Sequence, residues 1–218
     1  MINDYKSFIF DNFKGLGLEI GAQHTPFKYN NKTSMIYQDR LPLSQLKQDV
    51  QAHNKDINIE DIIDADIIMD AETVPFRDNY FDFVCNSHVL EHLKNPIQAI
   101  REWIRVIKPN GHLFLIVPDK RYTFDKERKL TSTYHLVKDY VNCQKDKTLE
   151  HYTDFYNNVH KITDKKIIQK AFDEQEDIHL HTFTYKSFLD FIESIKTNFE
   201  LTESKLDGIN ICVLIRKK

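Results

Sequence analysis

The sequence predicts an α/β domain. It should hold a Rossmann-like, seven-stranded, mostly parallel sheet with a terminal antiparallel hairpin and a helical cap inserted after the fifth strand. Three observations carry that expectation. Short apolar runs alternate with amphipathic helical stretches, the rhythm of a mainly parallel sheet. The rhythm breaks after residue 118, where segments rich in Tyr, His and Lys follow without a convincing strand. It resumes with one helix and two final strands around Asp207-Gly208, a hairpin signature.

Taken in order, strands are expected at 16–20, 34–38, 67–69, 81–85 and 113–117. Helices are expected at 43–52 and 96–107. The second places Ile97, Ile100, Ile104 and Ile107 on one face, with Pro96 in its first turn. Lys108-Pro109-Asn110-Gly111 should stop that helix and turn the chain into the next strand. Residues 119–183 make the cap. A helix at 185–196 carries Phe188, Phe191, Ile192 and Ile195 on one face, and 199–205 with 209–215 form the hairpin. The 218 residues suit one domain, 1–218, with the cap inside it.

Bulk chemistry narrows the function classes. A net charge of −3 lacks the basic footprint of a dedicated nucleic-acid binder. Cys85, Cys143 and Cys212 lie far apart and form no CxxC pair, so neither disulfides nor a thiolate zinc site is expected. The N-terminus shows no basic region leading into an apolar stretch, and no apolar run is long enough to span a bilayer. These features point to a cytoplasmic protein without membrane insertion. They leave the oligomeric state open.

Glycine is scarce, with 5 residues, so each is informative. Residues 18–26, LEIGAQHTP, read as a strand entering a turn with one glycine. A dinucleotide fingerprint needs further glycines so that backbone can approach a pyrophosphate, and here Gln23 and His24 occupy that place. NAD is therefore disfavoured. A ligand without phosphates makes less stringent demands. Asp39 ends the second strand about 20 residues after the turn, where a carboxylate can take a ribose diol, and Asp70 ends the third.

Residues 70–111 read DAETVPFRDNYFDFVCNSHVLEHLKNPIQAIREWIRVIKPNG. This stretch resembles the class I S-adenosylmethionine-dependent methyltransferases, especially the branch carrying DAExLPFxDxSFDxVxxxxVLEHLxxPxxxLxExxRVLKPGG. LEIGAQHTP then resembles the family's first motif, with Glu19 and Gly21 kept and Gln23 in place of a second glycine. The resemblance covers roughly the first half of the chain.

It implies S-adenosylmethionine as cofactor and assigns roles by position. Glu19, Gly21, Ala22 and Gln23 would shape the pocket around the methionine moiety. Asp39 would take the ribose hydroxyls. Asp70 would face the adenine amino group, with Ala71 and Glu72 along the ring, and Asn86 and His88 would wall the sulfonium and the acceptor. Packing and capping remain open as the role of Asn86. His88 and His92 stand four apart, as metal ligands on one helix face do, but the family typically uses no metal here and none is expected.

Methyl transfer from a sulfonium needs alignment more than acid–base chemistry. A base is needed only where the acceptor loses a proton, and His88, His179 and His181 are the candidates. Lys120, Arg121 and Tyr122 follow the fifth strand and could hold a small anionic acceptor, a solvated basic turn being the open alternative. The segments VPDKRYTFD and HLHTFTYKSF resemble small methyltransferases encoded with bacterial capsule or lipopolysaccharide genes, which leans the acceptor toward glycan-related or phosphorylated molecules. Two Tyr-xxx-Lys matches, at Tyr122 and Tyr134, mimic the pair of short-chain dehydrogenases, but ten tyrosines make such matches cheap. A methyltransferase-like protein that only binds a partner is the alternative, with Gln23 as its best support.

Overall fold

The computed structural model describes residues 5–53, 56–143 and 146–218. Seven strands form one sheet: β1 (Gly15–Ile20), β2 (Thr33–Asp39), β3 (Ile67–Ile68), β4 (Phe81–Ser87), β5 (Ile107–Pro118), β6 (Phe199–Asp207) and β7 (Asn210–Lys217). Their spatial order is β3-β2-β1-β4-β5-β7-β6. β1 through β5 pair in parallel, whereas β7 runs antiparallel to both β5 and β6. The order reverses beside β1, so a crevice opens at the carboxyl ends of β1 and β4.

Period-two alternation decides which side chains meet which layer. On β5, Leu113, Leu115 and Val117 pack with α3 (Pro96–Val106) and α7 (Tyr185–Ile195) through Ile100, Trp103, Phe188 and Phe191. Phe114 and Ile116 point the other way, into a cluster with Phe8 and Ile9 of α1 (Tyr5–Asn12) and with Phe13 just beyond it. Asn95 caps α3 by accepting from the Gln98 amide at 3.0 Å, and Pro96 takes the first position, where its missing N–H is harmless.

One expected boundary moves. The helix ends at Val106, and Ile107 already pairs with Phe81, so β5 begins before the Asn-Gly turn instead of after it. The next pairing joins Phe83 to His112, which leaves residues 108–111 as an irregularity within the strand. Pro109 has no N–H for the ladder and Asn110 adopts φ 64°, so the stretch bulges. The hairpin turns at Gly208 and Ile209, and each strand runs two residues past its expected end, β6 to Asp207 and β7 to Lys217.

The cap follows β5. Two short 3₁₀ turns lead to α4 (Thr133–Val141), α5 (Leu149–Phe155) and α6 (Lys165–Asp173), with α2 (Leu43–His53) lying outside this segment. The excursion returns beside its start, where Asp119 bridges to Phe183 and the Lys120 amide donates to the Phe183 carbonyl at 2.8 Å. Its own apolar cluster joins Tyr152, Phe155, Ile168, Ile178 and Leu180. Buried ion pairs do the rest. Arg128, almost wholly buried, donates to Asp125 at 2.9 Å, Asp154 at 2.8 Å and the His179 carbonyl at 2.7 Å. Among the described residues no helix is long and apolar enough to cross a membrane.

Candidate active site

A cavity of about 720 Å³ lies at the carboxyl ends of the parallel strands, within the range of small-molecule sites. Its lining includes Gly21, Gln23, Asp39, Asp70, Ala71, Glu72 and His88. The turn after β1 is built for close approach. Gly21 sits at φ 71°, and a Cβ there would come within 2.6 Å of Val89 Cγ2. Gln23 adopts φ 45°, a conformation that glycine takes without strain. The loop thus follows a glycine-type path despite its side chain. Ile63 anchors it by donating to the Gln23 carbonyl at 2.8 Å.

Asp39 is buried with one oxygen satisfied. Its Oδ1 accepts from the Arg40 amide at 2.7 Å, while Oδ2 has no partner. Burial raises its pKa, against the backbone bonds that lower it. An orphaned buried carboxylate oxygen on a cavity wall is what a ribose diol would satisfy. The adenine-side loop is fastened from below. Gln38 donates to the carbonyls of Asp70 at 3.1 Å and Thr73 at 2.9 Å, and Trp103 Nε1 donates to the Ala71 carbonyl at 2.8 Å. Glu72 accepts from the Asn95 amide at 2.7 Å, with its pKa raised chiefly by burial.

Three expected cofactor residues stand outside the lining. Glu19 is buried and turned to the α1 side of the sheet, where it accepts from Tyr29 Oη at 2.8 Å and the Phe27 amide at 3.1 Å. Burial pushes its carboxyl up to about 7, with those two bonds pulling down. Ala22 is buried in the turn itself, and Asn86 is wholly buried within β4 with neither side-chain atom hydrogen-bonded. Both support the wall from behind.

His88 is the candidate base that reaches the cavity. It holds φ 55°, uncommon outside glycine. Its Nε2 lies 2.9 Å from Asn210 Oδ1 and its Nδ1 3.4 Å from Glu91 Oε1. Burial lowers the His88 pKa, but Glu91 and Asn210 outweigh it and raise it above the ordinary value. VLEHL is no helix start: Leu90–His92 is a single 3₁₀ turn, so His88 and His92 do not share a helix face. The i,i+4 spacing of the sequence loses its meaning once 3.6-residue periodicity is absent.

His179 and His181 stand behind the cavity wall, both buried. His179 Nδ1 pairs with Asp125 at 2.6 Å. Lys120, Arg121 and Tyr122 are also absent from the lining. Arg121 forks onto Asp119 at 2.9 and 2.7 Å and lies over the Tyr122 ring, while Lys120 Nζ donates to the Lys126 carbonyl at 2.7 Å. Local pairing consumes these cations, a fold-back that residue type alone does not reveal.

Sequence reasoning also gave no cavity role to several residues that the cap and the segments after β1, β2 and β4 bring there: His24, Arg40, His92, Lys94, Lys147 and Asp177. Asp177 comes from the return of the cap and lies 3.1 Å from His92 Nδ1 and 3.3 Å from Arg40. Burial would raise its pKa, but His92, Arg40 and Lys147 hold it far below the carboxylate range. A carboxylate some 140 residues from Arg40 in sequence leaves no local signal. Two groups among the described residues have donor atoms within 4.8 Å of one another, as metal ligands do: Glu91, His92 and His179, and His135, His151 and His181.

The strand order and the crevice beside β1 define the α/β methyltransferase fold. Known proteins agree. A family described as a methyltransferase domain matches residues 38–115. The chain is 33% identical over 73 residues to the ubiquinone/menaquinone biosynthesis C-methyltransferase UbiE of Chromobacterium violaceum, covering 31% of this chain and 30% of that protein. It is 39% identical over 56 residues to the enzyme of the same name from Laribacter hongkongensis, covering 26% and 23%. The matched stretch thus spans less than a third of these curated relatives. Two solved structures share the fold at 14% identity and a TM-score of 0.53. One is a methyltransferase from Thermotoga maritima described as a possible histamine N-methyltransferase, aligned over 94% of this chain and 84% of that one. The other is a putative methyltransferase from Bacillus halodurans, aligned over 98% and 97%.

Proposed function

We propose that the protein is an S-adenosylmethionine-dependent methyltransferase acting on a small acceptor. The single observation that carries this is the convergence of Gly21, Asp39 and Asp70 on one cavity, with Asp39 Oδ2 buried and unpartnered. Asp39 holds the ribose diol, the 70–72 loop receives the adenine, and the Gly21 turn lets the methionine end pass close to backbone. The cofactor supplies an activated methyl group. The chain's own residues bind, orient and exclude water.

His88 is placed to take a proton from an acceptor hydroxyl or amine. Glu91 supports it from behind, since its carboxylate is wholly buried and faces the ring. The acceptor is read as glycan-related or phosphorylated, from the segments around Lys120 and His179. Since Lys120 and Arg121 are occupied elsewhere, an anionic group on it would meet Arg40, Lys94 or Lys147, which line the cavity. The curated relatives that match by sequence are named for carbon methylation in quinone biosynthesis, so quinone precursors are the competing acceptors to assay.

Calorimetric titration tests the cofactor reading. Wild-type protein should bind S-adenosylmethionine in the micromolar range, about −8 kcal/mol, and NAD not comparably. Asp39→Ala should weaken binding by roughly 1.5–3 kcal/mol, the worth of a hydrogen bond to a charged group. Binding of NAD in place of S-adenosylmethionine would overturn the assignment. Labelled methyl transfer into fractionated sugar phosphates, set against quinone precursors, decides the acceptor class.

A further inference from the structure

A second cluster of ionisable side chains lies in the cap, away from the cavity lining. His135 and Asp139 stand one turn apart on α4, His151 opens α5, and His181 lies on the segment that returns the cap to the sheet. His135 Nε2 lies 3.3 Å from His151 Nε2 and 3.1 Å from Asp139 Oδ2. The His181 ring centroid is 5.7 Å from that of His135 and 5.6 Å from that of His151. Donor atoms of all three histidines fall within 4.8 Å of one another.

Ordinary packing does not account for this group. His181 is 1% exposed, yet neither ring nitrogen makes a hydrogen bond of ordinary geometry; burial, with His151, His135 and Arg128 nearby, keeps its pKa well below the usual value. Asp139 Oδ2 is also buried and faces His135 Nε2 at 3.1 Å. Unsatisfied buried polar atoms are rare and costly. Those of His181 lie beside two other imidazoles.

The distances fit a particular ligand. Tetrahedral zinc holds imidazole nitrogen at about 2.0–2.1 Å, which separates neighbouring donor atoms by about 3.3 Å. The 3.3 Å between His135 and His151 matches that spacing, and a donor atom of His181 lies within 4.8 Å of both. The outer partners fit as well. A metal-bound imidazole commonly donates its other N–H to a nearby oxygen, and Thr148 Oγ1, 3.0 Å from His151 Nδ1, can accept it in place of the long 3.4 Å bond that Nδ1 accepts from the Thr148 amide. Arg128 disfavours charge on His151, and Asp125 and Asp154 already pair with it. The neighbouring trio of Glu91, His92 and His179 differs in kind. His92 is bound to Asp177, His179 to Asp125, and Glu91 faces His88.

We propose that His135, His151 and His181 form a three-imidazole site for a divalent transition-metal ion of the zinc class, which ties α4, α5 and the return segment together, with Asp139 beside His135. Three imidazoles suit zinc or cobalt, whereas magnesium and calcium favour all-oxygen sites. Half-buried His135 provides the entry path. With three protein ligands the fourth position of a tetrahedral ion falls to water, and the ion's role is to hold the cap in place. The inference rests on the cap alone and stands apart from the methyltransferase reading.

The experiment uses full-length protein freed of any histidine tag, stripped with chelator and titrated with Co²⁺. Visible absorption characteristic of tetrahedral cobalt should saturate at one ion per chain, and Zn²⁺ should displace it. His135→Gln and His151→Gln should each weaken Co²⁺ at least tenfold. His135 is half-exposed, so H135Q should keep the wild-type circular dichroism and decides the matter if H151Q does not fold. Zn²⁺ should raise the melting temperature of wild type and not of H135Q. Absence of tetrahedral cobalt bands, or undiminished Co²⁺ affinity in H135Q, would overturn the site.

Discussion

The sheet edge and the cap that closes beside it are held by different forces. Around β1, β2 and β4 the cavity wall depends on backbone: a glycine at φ 71°, a glutamine at φ 45°, and carbonyls pinned by Gln38 and Trp103. Beneath it lies a continuous apolar core running from Leu18 to Ile215. The cap has a smaller apolar cluster, and a buried ion-pair network of Arg128, Asp125 and His179 does much of the joining. Backbone geometry and apolar packing tolerate surface change well. Buried charge does not, because removing one partner strands the other in low dielectric. The comparison therefore predicts where the molecule is brittle.

The largest effect should follow from Arg128→Ala. That change leaves Asp125, wholly buried, with only His179 as counter-charge, and removes the bond to the His179 carbonyl. A loss of about 3–5 kcal/mol is expected on denaturant unfolding. Hydrogen exchange sharpens the contrast: amides of α5 and of the 178–182 return should lose protection before those of β4 and β5. If both regions lose protection together, the cap and the sheet are one cooperative unit and the contrast fails.

Glu19 offers the next effect, on the sheet side. Its folded pKa is raised to about 7 from 4.5 by burial, so the folded chain keeps a proton that the unfolded chain releases. The contribution is present in full below pH 4.5 and is lost as pH climbs to about 7, amounting to roughly 3 kcal/mol. Glu19→Gln, which retains an oxygen for the Tyr29 hydroxyl, should flatten this part of the stability curve. Denaturant midpoints of the two proteins, followed across that window, should converge at its acid end and separate at the neutral end. Parallel curves would mean that Glu19 does not carry the dependence.

The smallest effect lies in the first turn. Gln23 occupies a left-handed conformation that strains a side-chain-bearing residue by roughly 1 kcal/mol, partly offset by the greater flexibility of glycine in the unfolded chain. Gln23→Gly should therefore stabilise the fold by a few tenths to about 1 kcal/mol, measured as a rise in unfolding midpoint. A destabilised variant would show that the Gln23 side chain contributes contacts that outweigh the strain.

Much of this was legible before any coordinates. The seven strands and the helices at 96–106 and 185–195 follow from apolar period and from Pro and Gly placement. The residues that line the cavity from loops after strands, Gly21, Asp39, Asp70 and His88, lie where chain order alone puts them. Strand ends are a local property, so sequence reports them.

What the sequence could not report depends on long-range pairing. Lys120 and Arg121 look like free cations until Lys126 and Asp119 fold back on them. His179 and His181 look like acceptor-side residues until the cap turns both behind the wall, and Asp177 enters the cavity by the same motion of the chain. His135, His151 and His181 are unremarkable at their separate positions and become a cluster only when α4, α5 and the return segment pack. Periodicity and turn chemistry act over a few residues, and they determined the sheet and its edge. Which charges are spent on each other, and which remain for a ligand, is a matter of distances across the folded chain, and tertiary structure alone decided it.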